Sequence, residues 1–254
     1  MDELVIAVAQ LRMVDGDVAT NLAHYTDVLT ELPQPTDLIL LPEMFPTGYQ
    51  IRTSILEPHL GSSVAWMHNL AAHYDAMVGG TIGVTDAGKN YNRFYLVEPT
   101  GNVSYYDKQH LFAMAGEEKI FTAGNRRIVV NFRGWRIALQ TCFDLRFPES
   151  ARNCGDYDLL LYAASWPAAR DYAWRSLLVA RAIENQTYIA AANRVGDDAK
   201  GHAYVGHSCI LDAEGKACSE LPDVAEGILT ARISKKHLAI LRTSFPVLPK
   251  NADQ

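Results

Sequence analysis

Three segments of the chain place a reactive residue type directly after a run of strand-forming residues. Leu40-Leu41-Pro42-Glu43-Met44-Phe45 offers a carboxylate, and Tyr105-Tyr106-Asp107-Lys108-Gln109-His110-Leu111-Phe112 an ammonium. Ile137-Ala138-Leu139-Gln140-Thr141-Cys142-Phe143-Asp144-Leu145-Arg146-Phe147-Pro148-Glu149 offers a thiol. A charge that leaves a buried strand is unfavourable unless it is paired or used. Ligands of α/β proteins collect at the carboxyl ends of strands. Together a thiol, a carboxylate and an ammonium supply what acyl transfer needs: a nucleophile, a proton carrier and a donor to the oxyanion. Singly, each has a plainer reading as a loop acid, a surface lysine or a core cysteine.

The elements around these segments follow from periodicity. Leu4 to Ala9 reads as an apolar strand, and Asp17 caps a helix with Val18, Leu22, Tyr25, Leu29 and Leu32 at helical spacing, ended by Pro33 and Pro35. The aliphatic run Leu38 to Leu41 suits a strand covered on both faces. A helix is predicted over 62–75 and strands over 77–84, 93–97 and 103–106, with turn signals at Asp86-Ala87-Gly88-Lys89 and Pro99-Thr100-Gly101-Asn102. The second half predicts strands over 128–132, 136–140, 159–163, 188–192, 208–212 and 227–233. Helices are predicted after Pro148, over 172–185 and over 234–241. Hairpin and helical connections alternate, so the sheets should be mixed. The paired transitions Leu38 to Glu43 and Leu159 to Trp166 hint at an internal duplication. No linker or low-complexity stretch divides residues 1–254, so one domain is expected.

Composition narrows the class. The 254 residues carry a formal net charge of −6, with 48% hydrophobic and 20% charged residues, as in an ordinary globular protein. The acidic balance, with only Arg126-Arg127 and Lys235-Lys236 as basic clusters, argues against nucleic acid. No apolar run is long enough for a membrane span. The start Met1-Asp2-Glu3 lacks a basic leader region, which makes the cytoplasm the expected location. Of the four cysteines, Cys142, Cys154, Cys209 and Cys218, none forms a C-x-x-C pair, and no metal-ligand spacing, Rossmann or P-loop glycine pattern or G-x-S-x-G elbow occurs. Neither a metal nor an organic cofactor is expected.

Taken together, the three segments resemble the signature of the nitrilase, or carbon–nitrogen hydrolase, superfamily: a strand-end Pro-Glu context, a Tyr-x-Lys-x-His-Leu-Phe context and a Cys-x-Asp-x-Arg-Phe-Pro-Glu context, in the family's order. The likeness continues through Arg181-Ala182-Ile183-Glu184-Asn185-Gln186, Ala192-Asn193-Arg194 and Gly206-His207-Ser208, and covers nearly the whole chain. It implies an α/β fold, a four-layer α-β-β-α sandwich of two mixed sheets, and a homodimer. It also implies that Cys142 attacks as a thiolate, Glu43 carries protons, and Lys108 with the Phe143 N–H stabilises the oxyanion. Lys108 would additionally favour the thiolate. The family's accessory acid corresponds to Glu117, with Glu118 as the alternative. His110 and His207 fall in family-like segments and read as supporting residues, while Cys154, Cys209 and Cys218 read as inert.

Phe143-Asp144 after the cysteine looks closer to ω-amidases than to nitrilases, which tend to carry Trp-Glu there. The expected substrate is therefore the ω-amide of a small 2-oxo acid, 2-oxoglutaramate or 2-oxosuccinamate. Tyr49 and Trp166 are candidates to line its pocket. Arg146, which also reads as structural, is the cation nearest in sequence for its carboxylate. The alternatives are an N-carbamoyl-amine amidohydrolase or a nitrilase with the same triad, and a non-catalytic binding protein that kept the fold.

Overall fold

The side-chain alternation of the first strand decides the layering. In β1 (Glu3–Gln10), Leu4, Ile6 and Val8 join a core between two sheets, while Ala7 and Ala9 face a second core shared with helices. Such period-two division is what a strand buried on both faces requires. The computed structural model describes residues 1–249. After β1 come α1 (Val18–Leu29), β2 (Leu38–Leu40), β3 (Glu57–Pro58), α2 (Ser62–Tyr74), β4 (Met77–Asp86), β5 (Lys89–Val97) and β6 (Val103–Asp107). The second half adds β7 (Val129–Phe132), β8 (Trp135–Thr141), β9 (Leu159–Ala164), α3 (Asp171–Asn185), β10 (Tyr188–Asn193), β11 (Val195–Asp197) and β12 (Ala203–Val205). It closes with β13 (Cys209–Leu211), β14 (Ala217–Glu220), β15 (Gly227–Ser234) and α4 (Lys235–Ser244).

One sheet runs β15-β1-β2-β4-β5-β6, with β3 beside the end of β4, and the other β14-β13-β10-β9-β8-β7. Helices α1 and α2 cover the first sheet through Tyr25, Leu29, Val64 and Met67. Helix α3 covers the second through Trp174, Leu178 and Ala182. The layers are therefore helix, sheet, sheet, helix, as the family resemblance implied. Both sheets are mixed. Each has three parallel strands at its centre, β1-β2-β4 and β10-β9-β8, flanked by antiparallel neighbours.

The duplication hint has a structural counterpart in these central strands. The chain leaves β2 towards Glu43 and β9 towards Ser165, and the two exits meet: Glu43 N–H donates to the Ala164 carbonyl at 3.3 Å. Gly80 in β4 lets the Glu43 loop lie flat, since a Cβ there would sit 2.9 Å from the Leu41 side chain and 3.0 Å from Phe45.

Several expectations needed adjustment. Helix α1 ends at Leu29, before the prolines. The β11-β12 hairpin and β14 carry no strong alternation and were not anticipated. The short helix expected after Pro148 is a single 3-10 turn over Pro148–Ala151, preceded by another that begins at Cys142 itself, over Cys142–Arg146.

Candidate active site

Glu43, Lys108 and Glu117 come from three separate loops and meet in the interior. Lys108 Nζ lies 2.9 Å from Glu43 Oε1 and 2.9 Å from Glu117 Oε1, and all three side chains are fully buried. The Lys108 N–H donates to the Asn92 carbonyl at 3.0 Å as the chain leaves β6. From the middle of β5, the Asn92 amide donates to Glu43 Oε1 at 2.8 Å and to Glu117 Oε1 at 3.4 Å. The remaining Glu43 oxygen accepts from Ser165 N–H at 2.9 Å, and Ser165 Oγ donates to the Glu43 carbonyl at 3.0 Å. Glu117 Oε2 accepts a short hydrogen bond from Phe112 N–H. Of the two candidate acids, Glu117 faces the lysine and Glu118 is exposed.

Cys142 sits against this cluster at the end of β8, buried, with φ of 45°. A non-glycine residue in the left-handed region is strained and persists only where its surroundings hold it. Asp144 does the holding. Its carboxylate accepts from Thr141 N–H at 2.9 Å, Tyr106 Oη at 2.8 Å and His110 N–H at 2.9 Å, with His110 Nδ1 at 2.8 Å. The Asp144 contacts thus bind the turn of the cysteine to the segment of the lysine. His110 also stacks on Phe147, with ring centroids 3.8 Å apart. From the other side, Arg181 on α3 donates to the Leu145 carbonyl at 2.6 Å.

The electrostatics are those of a dry, acidic site. Burial pulls the Lys108 ammonium towards deprotonation, but Glu117 and Glu43 more than offset it and hold its pKa well above the ordinary value. Burial, and then the Glu43 carboxylate, push the Cys142 thiol well above its usual range, with Lys108 pulling the other way. The pull of Lys108, which the resemblance implied would favour the thiolate, is the weaker influence here.

Tyr49 lies at the same cluster, with Lys108 Nζ 5.8 Å from its ring centroid. Its hydroxyl is buried without a protein partner, and burial with Glu117 and Glu43 nearby holds its pKa well above the usual phenol range. Phe143 packs on Phe112, with centroids 4.9 Å apart. Trp166 is buried and has its polar groups engaged: its indole N–H donates to the Arg170 carbonyl at 2.9 Å and its backbone N–H to Asn193 Oδ1 at 2.7 Å. Arg146 is exposed, its guanidinium carbon 5.0 Å from the Trp166 ring centroid. Among the described residues no group of His, Cys, Asp and Glu side chains has the arrangement of a metal site.

The sequence reading missed Asn92 and Ser165. Asn92 leaves a weak signal, an amide inside a strand, where a buried polar group needs partners. Ser165 adjoins Trp166 in a segment already singled out, but nothing in its type marks it.

The carbon–nitrogen hydrolase family model matches residues 5–242. The chain belongs to this family. It is 44% identical to the ω-amidase YafV of Yersinia enterocolitica over 97% of this chain and 96% of the relative. To the ω-amidase YafV of Escherichia coli K12 it is 40% identical over the same shares. The 2-oxoglutaramate amidase of Bacillus subtilis is 30% identical, with 95% of both chains covered. Among solved structures, XC1258 of Xanthomonas campestris, a superfamily protein with an arsenic adduct in its active site, superposes with a TM-score of 0.94 at 38% identity, covering 98% of this chain and 97% of the other. The chain is an amidohydrolase of the nitrilase type, and the reading as a non-catalytic binder is set aside. No helix among the described residues is long and apolar enough to cross a membrane.

Proposed function

We propose that this amidohydrolase works through a Cys142 thioester and releases ammonia from the ω-amide of a small 2-oxo dicarboxylic acid, 2-oxoglutaramate or 2-oxosuccinamate. The observation that carries the mechanism is the fully buried Lys108 ammonium between Glu43 and Glu117, with the buried Cys142 thiol, pushed upward by burial and by Glu43, against the same cluster. Glu43 accepts the thiol proton as Cys142 Sγ attacks the amide carbon. The oxyanion accepts from Lys108 Nζ and the Phe143 N–H, and each such donor typically lowers the barrier by about 3 kcal/mol. Glu43 returns the proton to nitrogen and ammonia leaves, giving the thioester. Water then attacks, deprotonated by Glu43, and the acid product and the thiol are released. Glu117 acts on Lys108, fixing its position and charge.

The ω-amide assignment draws on the relatives' names and on the Cys142–Glu149 segment. Its test is ammonia release from 2-oxoglutaramate, 2-oxosuccinamate, N-carbamoyl compounds and nitriles under one set of conditions. The 2-oxo amides should lead, and a preference for a carbamoyl compound or a nitrile would overturn the substrate while leaving the triad intact. Glu43→Gln should abolish turnover yet still bind substrate; a change confined to KM would remove the proton-carrying role.

We also infer a homodimer. Tyr172, Val179 and Ile183 on α3 and Ile240 on α4 leave apolar side chains exposed, as a two-fold contact between helices would use. Light scattering should give twice the chain mass, and a monomer at all concentrations would reject the dimer.

A further inference from the structure

The catalytic cluster carries two carboxylates against one ammonium, so a substrate that brings a further carboxylate meets a negative interior. Burying that group without a cation is prohibitive. Most arginines of the second half are committed elsewhere: Arg127, Arg136, Arg181, Arg194, Arg232 and Arg242 each reach a carboxylate. Two that are not lie against aromatic rings of the site. The Arg146 guanidinium carbon is 5.0 Å from the Trp166 centroid, and that of Arg170 is 5.2 Å from the Phe112 centroid.

Arg170 is the better placed of the two. Phe112 donates its N–H to Glu117 and packs on Phe143, the residue next to the nucleophile. The Arg170 backbone is fixed, its carbonyl accepting from the Trp166 indole at 2.9 Å and its N–H donating to Pro167 at 3.0 Å. The acid next in sequence, Asp171, is taken up by His207 Nδ1 and leaves the guanidinium unneutralised. Arg170 is also half-buried where Arg146 is exposed, so its charge acts through less water. A guanidinium lying on an aromatic face keeps its N–H edge free for a bidentate carboxylate.

We propose that Arg170 is the specificity-determining cation of this enzyme, binding the remote carboxylate of a short ω-amide over the Phe112–Phe143 wall. The proposal rests on the amidase reading above and adds the residue that selects anionic substrates. Arg170→Ala should lower kcat/KM for 2-oxoglutaramate by about 10- to 100-fold, chiefly through KM, as loss of a charged hydrogen-bond pair does. For the methyl ester of that carboxylate the rate should change by no more than about twofold, since the ester never made the contact. Arg170→Lys should recover part of the loss, and Arg146→Ala should leave the ratio of the two substrates unchanged. An equal loss on both substrates, no loss on either, or a selective loss in Arg146→Ala would overturn the assignment. Calorimetry with the dicarboxylate 2-oxoglutarate on Cys142→Ala protein reads the same contact without turnover. Adding Arg170→Ala should weaken that binding by a similar factor, and unchanged binding would equally overturn the assignment. Absence of ammonia from every amide would instead count against the amidase reading alone.

Discussion

Two cations among the described residues are fully buried, and they differ in what surrounds them. Lys108 faces two carboxylates at 2.9 Å. Arg194 has one carboxylate, Asp15, at 3.4 Å, and its Nη2 donates to the carbonyls of Met13 at 3.1 Å and Asp197 at 3.0 Å. Its guanidinium also lies 4.6 Å from the Tyr204 ring centroid. Around Arg194 the charge is balanced and spread over a planar fork, and the result is a brace between the chain after β1 and the β11-β12 hairpin. Around Lys108 there is one negative charge too many and a point-like ammonium. In the mechanism proposed above, that second carboxylate is what allows Glu43 to carry a proton while Lys108 keeps a counter-charge. Burial alone therefore does not mark a reactive cation. The imbalance does.

The largest expected effect removes the group that the imbalance acts on. Cys142→Ala should abolish turnover and leave the circular dichroism spectrum unchanged, whereas Cys154→Ala, Cys209→Ala and Cys218→Ala should keep most activity. Appreciable ammonia release by Cys142→Ala would end the thioester mechanism. The comparison sharpens by exchanging the cations. Lys108→Arg keeps the charge but places a fork where a point donor is needed, and kcat should fall at least about 100-fold. Arg194→Lys should instead act on stability, lowering it by about 1 to 3 kcal/mol through lost hydrogen bonds, with kcat within a few-fold of normal. Chemical denaturation and steady-state rates on both variants decide whether site and brace separate in this way.

A smaller effect should come from trimming the excess charge. Glu117→Gln leaves Lys108 with a single carboxylate and should lower kcat by about 10-fold or more, while Glu118→Gln, exposed, should match the parent enzyme. Parity between the two variants would remove Glu117 from the site. The smallest effect belongs to His207, which lies between Asp171 and Asp223. Its partial burial opposes the charge, but hydrogen bonds to both aspartates raise its pKa above the ordinary 6.5. A histidine raised on folding contributes stability that is fully present below pH 6.5 and fades as pH rises through the raised value. His207→Gln should lose that slope in melting temperature, and an unaltered slope would place its origin elsewhere.

How far the sequence reached depended on whether a residue's role is local. Glu43, Lys108 and Cys142 each follow a strand directly, so an aliphatic run and a polar break mark them without knowledge of the fold. The Asp144 contacts explain why the lysine and cysteine segments read as fixed motifs: one carboxylate gathers donors from Tyr106, His110 and Thr141, which constrains the spacing in both. Asn92 and Ser165 were hidden because their partner, Glu43, is 49 and 122 residues away. Arg170 was hidden for a related reason, since its freedom from any carboxylate appears only after the acids around it have found other partners.

The sequence by itself determined the family, the alternation that builds a two-sheet sandwich, and the strand ends that carry a thiol, a carboxylate and an ammonium. Those features are written in nearest neighbours and short periods. Only the tertiary structure decided that Glu117 and not Glu118 faces the lysine, that burial and Glu43 outweigh Lys108 at the cysteine, and which arginines are left without a carboxylate. Each depends on a balance of burial and opposing charges summed over residues distant in the chain, and that sum exists only once the two sheets have closed on each other.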